Sequence, residues 1–198
     1  MKIHDISQEV FSCAVYPGDE SPEKRELLRM AKGDTYNLTA FSMCAHNGTH
    51  VDAPFHFFAD GKTADSLPLE KTVGFCYVTD TQTGPLSAIQ AKTIVDTAKN
   101  MDPKGAGRIL IKGDAVVTEE SAQVFADAGT DLVGTETLSV GPTDAPMAVH
   151  KILLSADVVL LEGIRLNGIN EGIYLLSAAP LCLAGSDGSP CRAILIEI

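Results

Sequence analysis

Between residues 46 and 56 the chain reads His-Asn-Gly-Thr-His-Val-Asp-Ala-Pro-Phe-His, and this run constrains the fold more than any other stretch. It holds three of the five histidines. In a helix His46 and His50 would stack one turn apart while Asp52 and His56 rotated off that face. Asn47-Gly48 and Pro54 oppose a helix in any case. In an extended chain side chains alternate, and His46, His50, Asp52 and His56 share one parity, so all four can point to one side. Gly48 removes bulk between two of them, and Pro54 stiffens the chain just before His56.

Neutral imidazoles with a carboxylate are donors suited to zinc or manganese, whereas calcium takes an oxygen cage. Three protein donors leave coordination positions open for water. One aspartate can bridge two cations, and a second site would then need donors from elsewhere. Only His4 and His150 remain among the histidines. Glu162 ends an apolar run, residues 158–161, where an unpaired carboxylate is costly. A helix over 146–155 reversing into that strand could bring His150 and Glu162 together. Taken alone, the pair is a weak signal and reads more readily as an ordinary surface histidine and a strand-end glutamate.

The surrounding pattern is α/β, a single domain over residues 1–198 with a mixed sheet. Strands are expected at residues 74–80, 108–112, 158–161 and 193–198, β-rich runs bounded by Gly, Pro or Asp. Helices are expected at 22–32, 87–99, 118–128 and 146–155. The third opens on Thr118 with two acidic residues in its first turn and stops at Gly129. In the last, Met147, Ile152 and Leu153 are expected to face the core. No repeat or polar linker marks a domain boundary, and 45% hydrophobic content is ordinary for a folded chain of 198 residues.

A net charge of −11, with no basic cluster, excludes a phosphate-tracking surface, so no nucleic-acid partner is expected. The five cysteines form no CxxC pair and read mostly as buried reduced thiols, Cys44 included. The N-terminus lacks an apolar signal region, and the most apolar later run, 152–164, is broken by Asp157 and Glu162. A cytoplasmic protein with no membrane partner is the expectation. The glycines of residues 103–108 match neither a phosphate loop nor a dinucleotide motif.

The pattern HxGTHxDxPxHF, matched from His46 to Phe57, resembles the signature of the cyclase family of metal-dependent hydrolases, which includes bacterial kynurenine formamidases and isatin hydrolases. The similarity extends through Tyr16-Pro17-Gly18-Asp19, the stretch after Thr137, and Asp187-Gly188-Ser189-Pro190, and so covers nearly the whole chain. It implies a swivelling β/β/α fold and two divalent cations per subunit, zinc first and manganese as the other option. The first would be held by His46, His50 and Asp52. The second would be held by Asp52, His150 and Glu162, whose spacing of twelve residues matches the family's. His56 is implied as the catalytic acid/base and Tyr16 as a substrate contact, at a position where the formamidases carry Trp. Homodimers or homotetramers with pockets completed at subunit interfaces are implied too.

The expected activity is hydrolysis of an amide, formamide or cyclic amide of a small molecule by a metal-activated water, with an imidazole handling the proton. Two alternatives keep the metal: a cyclase or dehydratase, and a non-catalytic metal-binding protein. His56 argues against the latter, because a closed structural site has no use for a further imidazole beside it. The Pro-Gly sequence at 16–19 also reads as a plain turn, and residues 186–190 as a turn between two strands.

Overall fold

The computed structural model describes residues 1–197. Its strands are β1 (Lys2–Asp5), β2 (Glu23–Leu28), β3 (Leu38–Ser42), β4 (His50–Asp52), β5 (Val73–Gln82), β6 (Pro85–Leu86) and β7 (Arg108–Gly113). They continue with β8 (Val116–Val117), β9 (Leu132–Thr135), β10 (Val159–Glu162), β11 (Gly172–Ser177), β12 (Gly188–Pro190) and β13 (Ile194–Glu197). Four helices join them: α1 (Leu69–Thr72), α2 (Ala88–Met101), α3 (Glu119–Asp127) and α4 (Met147–Ser155).

Nine strands form one mixed sheet in the order β1-β13-β11-β5-β7-β9-β10-β4-β12. Its centre, β5-β7-β9-β10, is parallel, and both flanks are antiparallel. Parallel neighbours require crossovers, and α2, α3 and α4 supply them in turn, packing side by side. Ser87 and Thr118 cap α2 and α3 through reciprocal hydrogen bonds with Gln90 and Ser121.

Strand alternation divides the core. Ile109, Ile111, Val133 and Leu160 face the helices and pack with Ile94, Phe125 and Leu153. Leu110, Val159, Leu161 and Val51 face the other way, into a second apolar layer with Ile6, Leu176 and Leu195. Each such fully buried side chain contributes about 1.5–3 kcal/mol. The central strands are therefore covered on both faces, as parallel strands must be.

Several expectations need correction. Residues 22–32 form no α-helix: they make β2 and a 3-10 turn at Met30–Lys32. The helix-forming Glu, Lys and Leu there are a weak prior, and antiparallel pairing with Leu38–Ser42, rich in β-type residues, overrides it. Met147 is exposed, and Val149, His150, Leu153 and Leu154 are the buried side chains of α4. Of the cysteines only Cys76 is fully buried; Cys182 is exposed and Cys44 half-buried. Residues 188–190 are not a turn but the edge strand β12, paired with β4. The last expected strand begins one residue later, at Ile194, and Ile198 lies outside the described residues. Among the described residues no helix is long and apolar enough to cross a membrane.

Candidate metal centre

The antiparallel ladder between β4 and β10 sets the site. It places His50 opposite Glu162 and Asp52 opposite Leu160. Directly opposed residues project from the same face, and Leu160 points into the helix-side core, so His50, Asp52 and Glu162 emerge toward the helices. There α4 delivers His150. All four are buried polar groups, no more than 4% exposed. The extended reading of residues 46–56 holds only over His50–Asp52. His46 comes from a turn closed by the Asn47 amide on the Cys44 carbonyl, and His56 from a 3-10 turn started by Pro54. The chain still gathers all four side chains, through turns rather than one straight strand.

The donors surround shared space. Asp52 Oδ1 lies 3.0 Å from His46 Nδ1 and 3.4 Å from His50 Nε2, while Oδ2 lies 3.4 Å from His150 Nε2. Glu162 Oε2 is 3.5 Å from His50 Nε2, and Oε1 is 3.3 Å from His150 Nε2. Donors held about 2.0–2.1 Å from a common tetrahedral cation would stand ~3.3 Å apart. His50 Nε2 and Asp52 Oδ2 are buried without a hydrogen-bond partner, which is costly unless something else satisfies them. The residues fit a divalent cation on both counts. Two triads, His50 with Asp52 and Glu162, and His46 with Asp52 and His56, each keep their donor atoms within 4.8 Å.

Backbone carbonyls orient two of the rings. His50 Nδ1 donates to the Gly48 carbonyl at 3.1 Å, and His150 Nδ1 donates to the Pro146 carbonyl at 2.8 Å. A carbonyl only accepts, so Nδ1 carries the hydrogen and Nε2 faces the carboxylates. Gly48, at φ +71°, turns its carbonyl into place. At Gly163 an added Cβ would come 2.5 Å from the Gly48 oxygen, so the loops closing β10 and opening β4 touch. Burial pushes the His50 and His150 imidazoles down, but the facing Asp52 and Glu162 carboxylates outweigh it and raise both to about 10. For Asp52, burial acts upward and is outweighed by His150, His46 and His50, leaving its carboxyl well below the ordinary range.

Asp187 is the residue the sequence did not single out. Its Oδ2 lies 2.9 Å from His46 Nε2 and 3.1 Å from His56 Nδ1. Burial raises its carboxyl, and the two imidazoles, His46 ahead of His56, more than reverse this. Gly188 makes the approach possible: an added Cβ would sit 2.7 Å from His46 Cε1 and 2.9 Å from the Val51 oxygen. The visible signal was an aspartate followed by a glycine in the 187–190 motif. His56 is the most open of the site histidines, with 28% of its side chain exposed against 3% for His50. Tyr16 is half-buried, and its hydroxyl donates to the Thr143 carbonyl, tying the 16–19 turn to the loop before α4. His4 is elsewhere, paired with Glu197.

A curled α/β sheet focusing imidazoles and carboxylates on one buried point defines the class: an α/β protein with a candidate metal-binding centre. The chain belongs to the cyclase family: residues 4–142 match the family model described as a putative cyclase. It is 35% identical to a kynurenine formamidase of Salinibacter ruber, across 98% of this chain and 97% of that protein. The solved structure of a potential metal-dependent hydrolase with cyclase activity superposes with a TM-score of 0.80 at 28% identity, covering 98% of this chain and 96% of its own. Isatin hydrolase A from Labrenzia aggregata shares the fold, with a TM-score of 0.79 at 21% identity over 98% of this chain and 93% of its own.

Proposed function

We propose that the chain is a metal-dependent hydrolase of non-peptide C–N bonds, acting on an aryl formamide or a related small amide. The observation that carries this is Asp52, whose two oxygens face different imidazoles, Oδ1 toward His46 and His50 and Oδ2 toward His150. Such a carboxylate suits two cations, with His46 and His50 completing one site and His150 and Glu162 the other. Zinc fits this nitrogen and oxygen set best, and manganese fits it next. When bound, the cations supply a Lewis acid for the scissile carbonyl and make water a competent nucleophile near neutral pH.

The protein's own part follows from the geometry. His56, the most solvent-open imidazole of the group, takes a proton from the water whose oxygen bonds to the carbonyl carbon and hands it to the leaving nitrogen as the C–N bond breaks. The buried donors exclude solvent from the cation side, where electrostatic interactions are stronger. Tyr16 contributes a half-buried ring near the substrate, held by Thr143.

One domain carries the activity, and copies of it associate. The hairpin β2–β3 is exposed along both strands and leaves Leu27, Tyr36, Leu38 and Phe41 open to solvent. A groove of about 830 Å³ runs beside it, lined by Phe11, Phe41 and Leu181 and reaching Thr49 next to His50. An apolar patch of this kind suits a homodimer or homotetramer. A cytoplasmic location accords with this reading.

The deciding experiment incubates the zinc- or manganese-loaded protein with N-formylkynurenine and simpler aryl formamides in ¹⁸O-labelled water. Labelled formate released in step with free amine, and lost after chelation, is the expected result. Water released from a substrate that closes on itself would favour the cyclase or dehydratase reading instead. No turnover of any amide by metal-loaded protein would overturn the proposal.

A further inference from the structure

Four histidines meet at the centre, and backbone carbonyls set the tautomers of only two, His50 and His150. His46 and His56 have no carbonyl in that role. Their rings stand 4.2 Å apart, centre to centre, tilted by 34°. Each instead turns one nitrogen to the same carboxylate oxygen, Asp187 Oδ2, at 2.9 Å from His46 Nε2 and 3.1 Å from His56 Nδ1.

We propose that Asp187 is the positioning residue of the site: through one carboxylate oxygen it fixes opposite tautomers on His46 and His56. An ionised carboxylate only accepts, so both facing nitrogens must carry hydrogen. Where a cation is shared with Asp52, His46 would give it Nδ1 and keep its hydrogen on Nε2; in its absence Nδ1 faces Asp52 Oδ1 at 3.0 Å and carries hydrogen as well. His56 keeps its hydrogen on Nδ1 and presents Nε2 for proton exchange. One residue thereby couples a metal donor to the acid/base, and the orientation of neither ring is left to solvent.

The backbone is built to hold Asp187 there. Its carbonyl accepts the Ala53 amide at 2.9 Å, and the next residue, Gly188, pairs with Asp52 in the β12–β4 ladder. The carboxylate is thus tied to the strand that carries Asp52. Ser186 anchors the preceding peptide by accepting the Ala64 amide at 2.8 Å.

The proposal rests on the hydrolase reading only for its kinetic consequence, and ring tautomers can be read without turnover. Long-range ¹H–¹⁵N NMR of the zinc-loaded full chain assigns the protonated nitrogen of each neutral ring. Hydrogen on Nε2 of His46 and Nδ1 of His56 is expected, with His56 losing that preference in Asp187→Asn and Asp187→Ala. Zinc affinity in these variants should fall roughly 10–100-fold, the usual effect of losing an outer-shell partner. In an active enzyme, kcat should fall with little change in KM. A wild-type His56 protonated on Nε2, or tautomers unchanged in folded variants, overturns the assignment, and the wild-type spectrum decides alone should the variants not fold. Inactivity of the wild type with the expected tautomers would sink the hydrolase reading and leave this one standing.

Discussion

His50 on β4 stands directly across the antiparallel ladder from Glu162 on β10, and the two side chains approach to 3.5 Å on the helix side of the sheet. Glu162 has a further partner, since its Oε1 accepts the buried Val140 amide at 2.7 Å. Glu162→Gln should keep an oxygen for that amide while weakening metal binding by more than roughly 100-fold, beyond the scale of an outer-shell partner. Glu162→Ala should also leave the amide unpaired and unfold about 1–3 kcal/mol more easily than the Gln variant in metal-free protein. Titration calorimetry with zinc and denaturant melts check both halves.

His56→Ala should retain wild-type metal content and lose roughly 10²- to 10⁴-fold in turnover, the usual scale of a general acid/base. Metal analysis by plasma mass spectrometry beside formamide kinetics separates the two. Lost metal in this variant would instead make His56 a donor in the triad it forms with His46 and Asp52.

Metal should stabilise the fold by mass action. At a free concentration 100 times the Kd the increment is about 2.7 kcal/mol for one site. Thermal melts with and without chelator measure it, and Asp52→Ala should abolish the difference because both of its oxygens face donors. A metal-dependent shift that survives Asp52→Ala would remove Asp52 from the site.

Gly188→Ala should cost about 1–3 kcal/mol, as overpacking does. The clash involves the Val51 carbonyl as well as the His46 ring, so a side-chain shift cannot relieve it. A Tm matching the wild type would show that the β12 edge yields freely.

Asp157 holds a left-handed φ of +61° just past α4 and pairs with Lys71 at 2.9 Å and Lys62 at 3.0 Å. Burial raises its carboxyl, and the lysines, Lys71 first, lower it below 3.8 on balance. The stabilisation is therefore present above the unfolded value and disappears as pH falls through the lower folded value. With the carboxylate 42% exposed, solvent screening limits it to about 1 kcal/mol or less. Asp157→Asn, which tolerates the same backbone, should reduce stability at neutral pH and match the wild type in strong acid; urea melts across that range test it.

Three of the four expected helices and all four expected strands were legible, because periodicity and caps act locally: Ser87 and Thr118 do stand at helix starts. Residues 22–32 misled because their fate is set by β3, ten or more residues away. The cluster around Asp52 was legible from donor types within one short segment. Asp187 was not, because its role arises only when β12 pairs with β4 across more than a hundred residues of intervening chain. Nothing local to the 187–190 motif distinguishes that arrangement from a turn.

The β4–β10 pairing has a temporal consequence. During synthesis residues 46–52 emerge long before Glu162, and β12, their other ladder partner, later still. On the proposed reading, the site that needs His150 and Glu162 cannot form until most of the polypeptide has left the ribosome and the sheet has closed, so capture of that cation would report a finished fold rather than seed one.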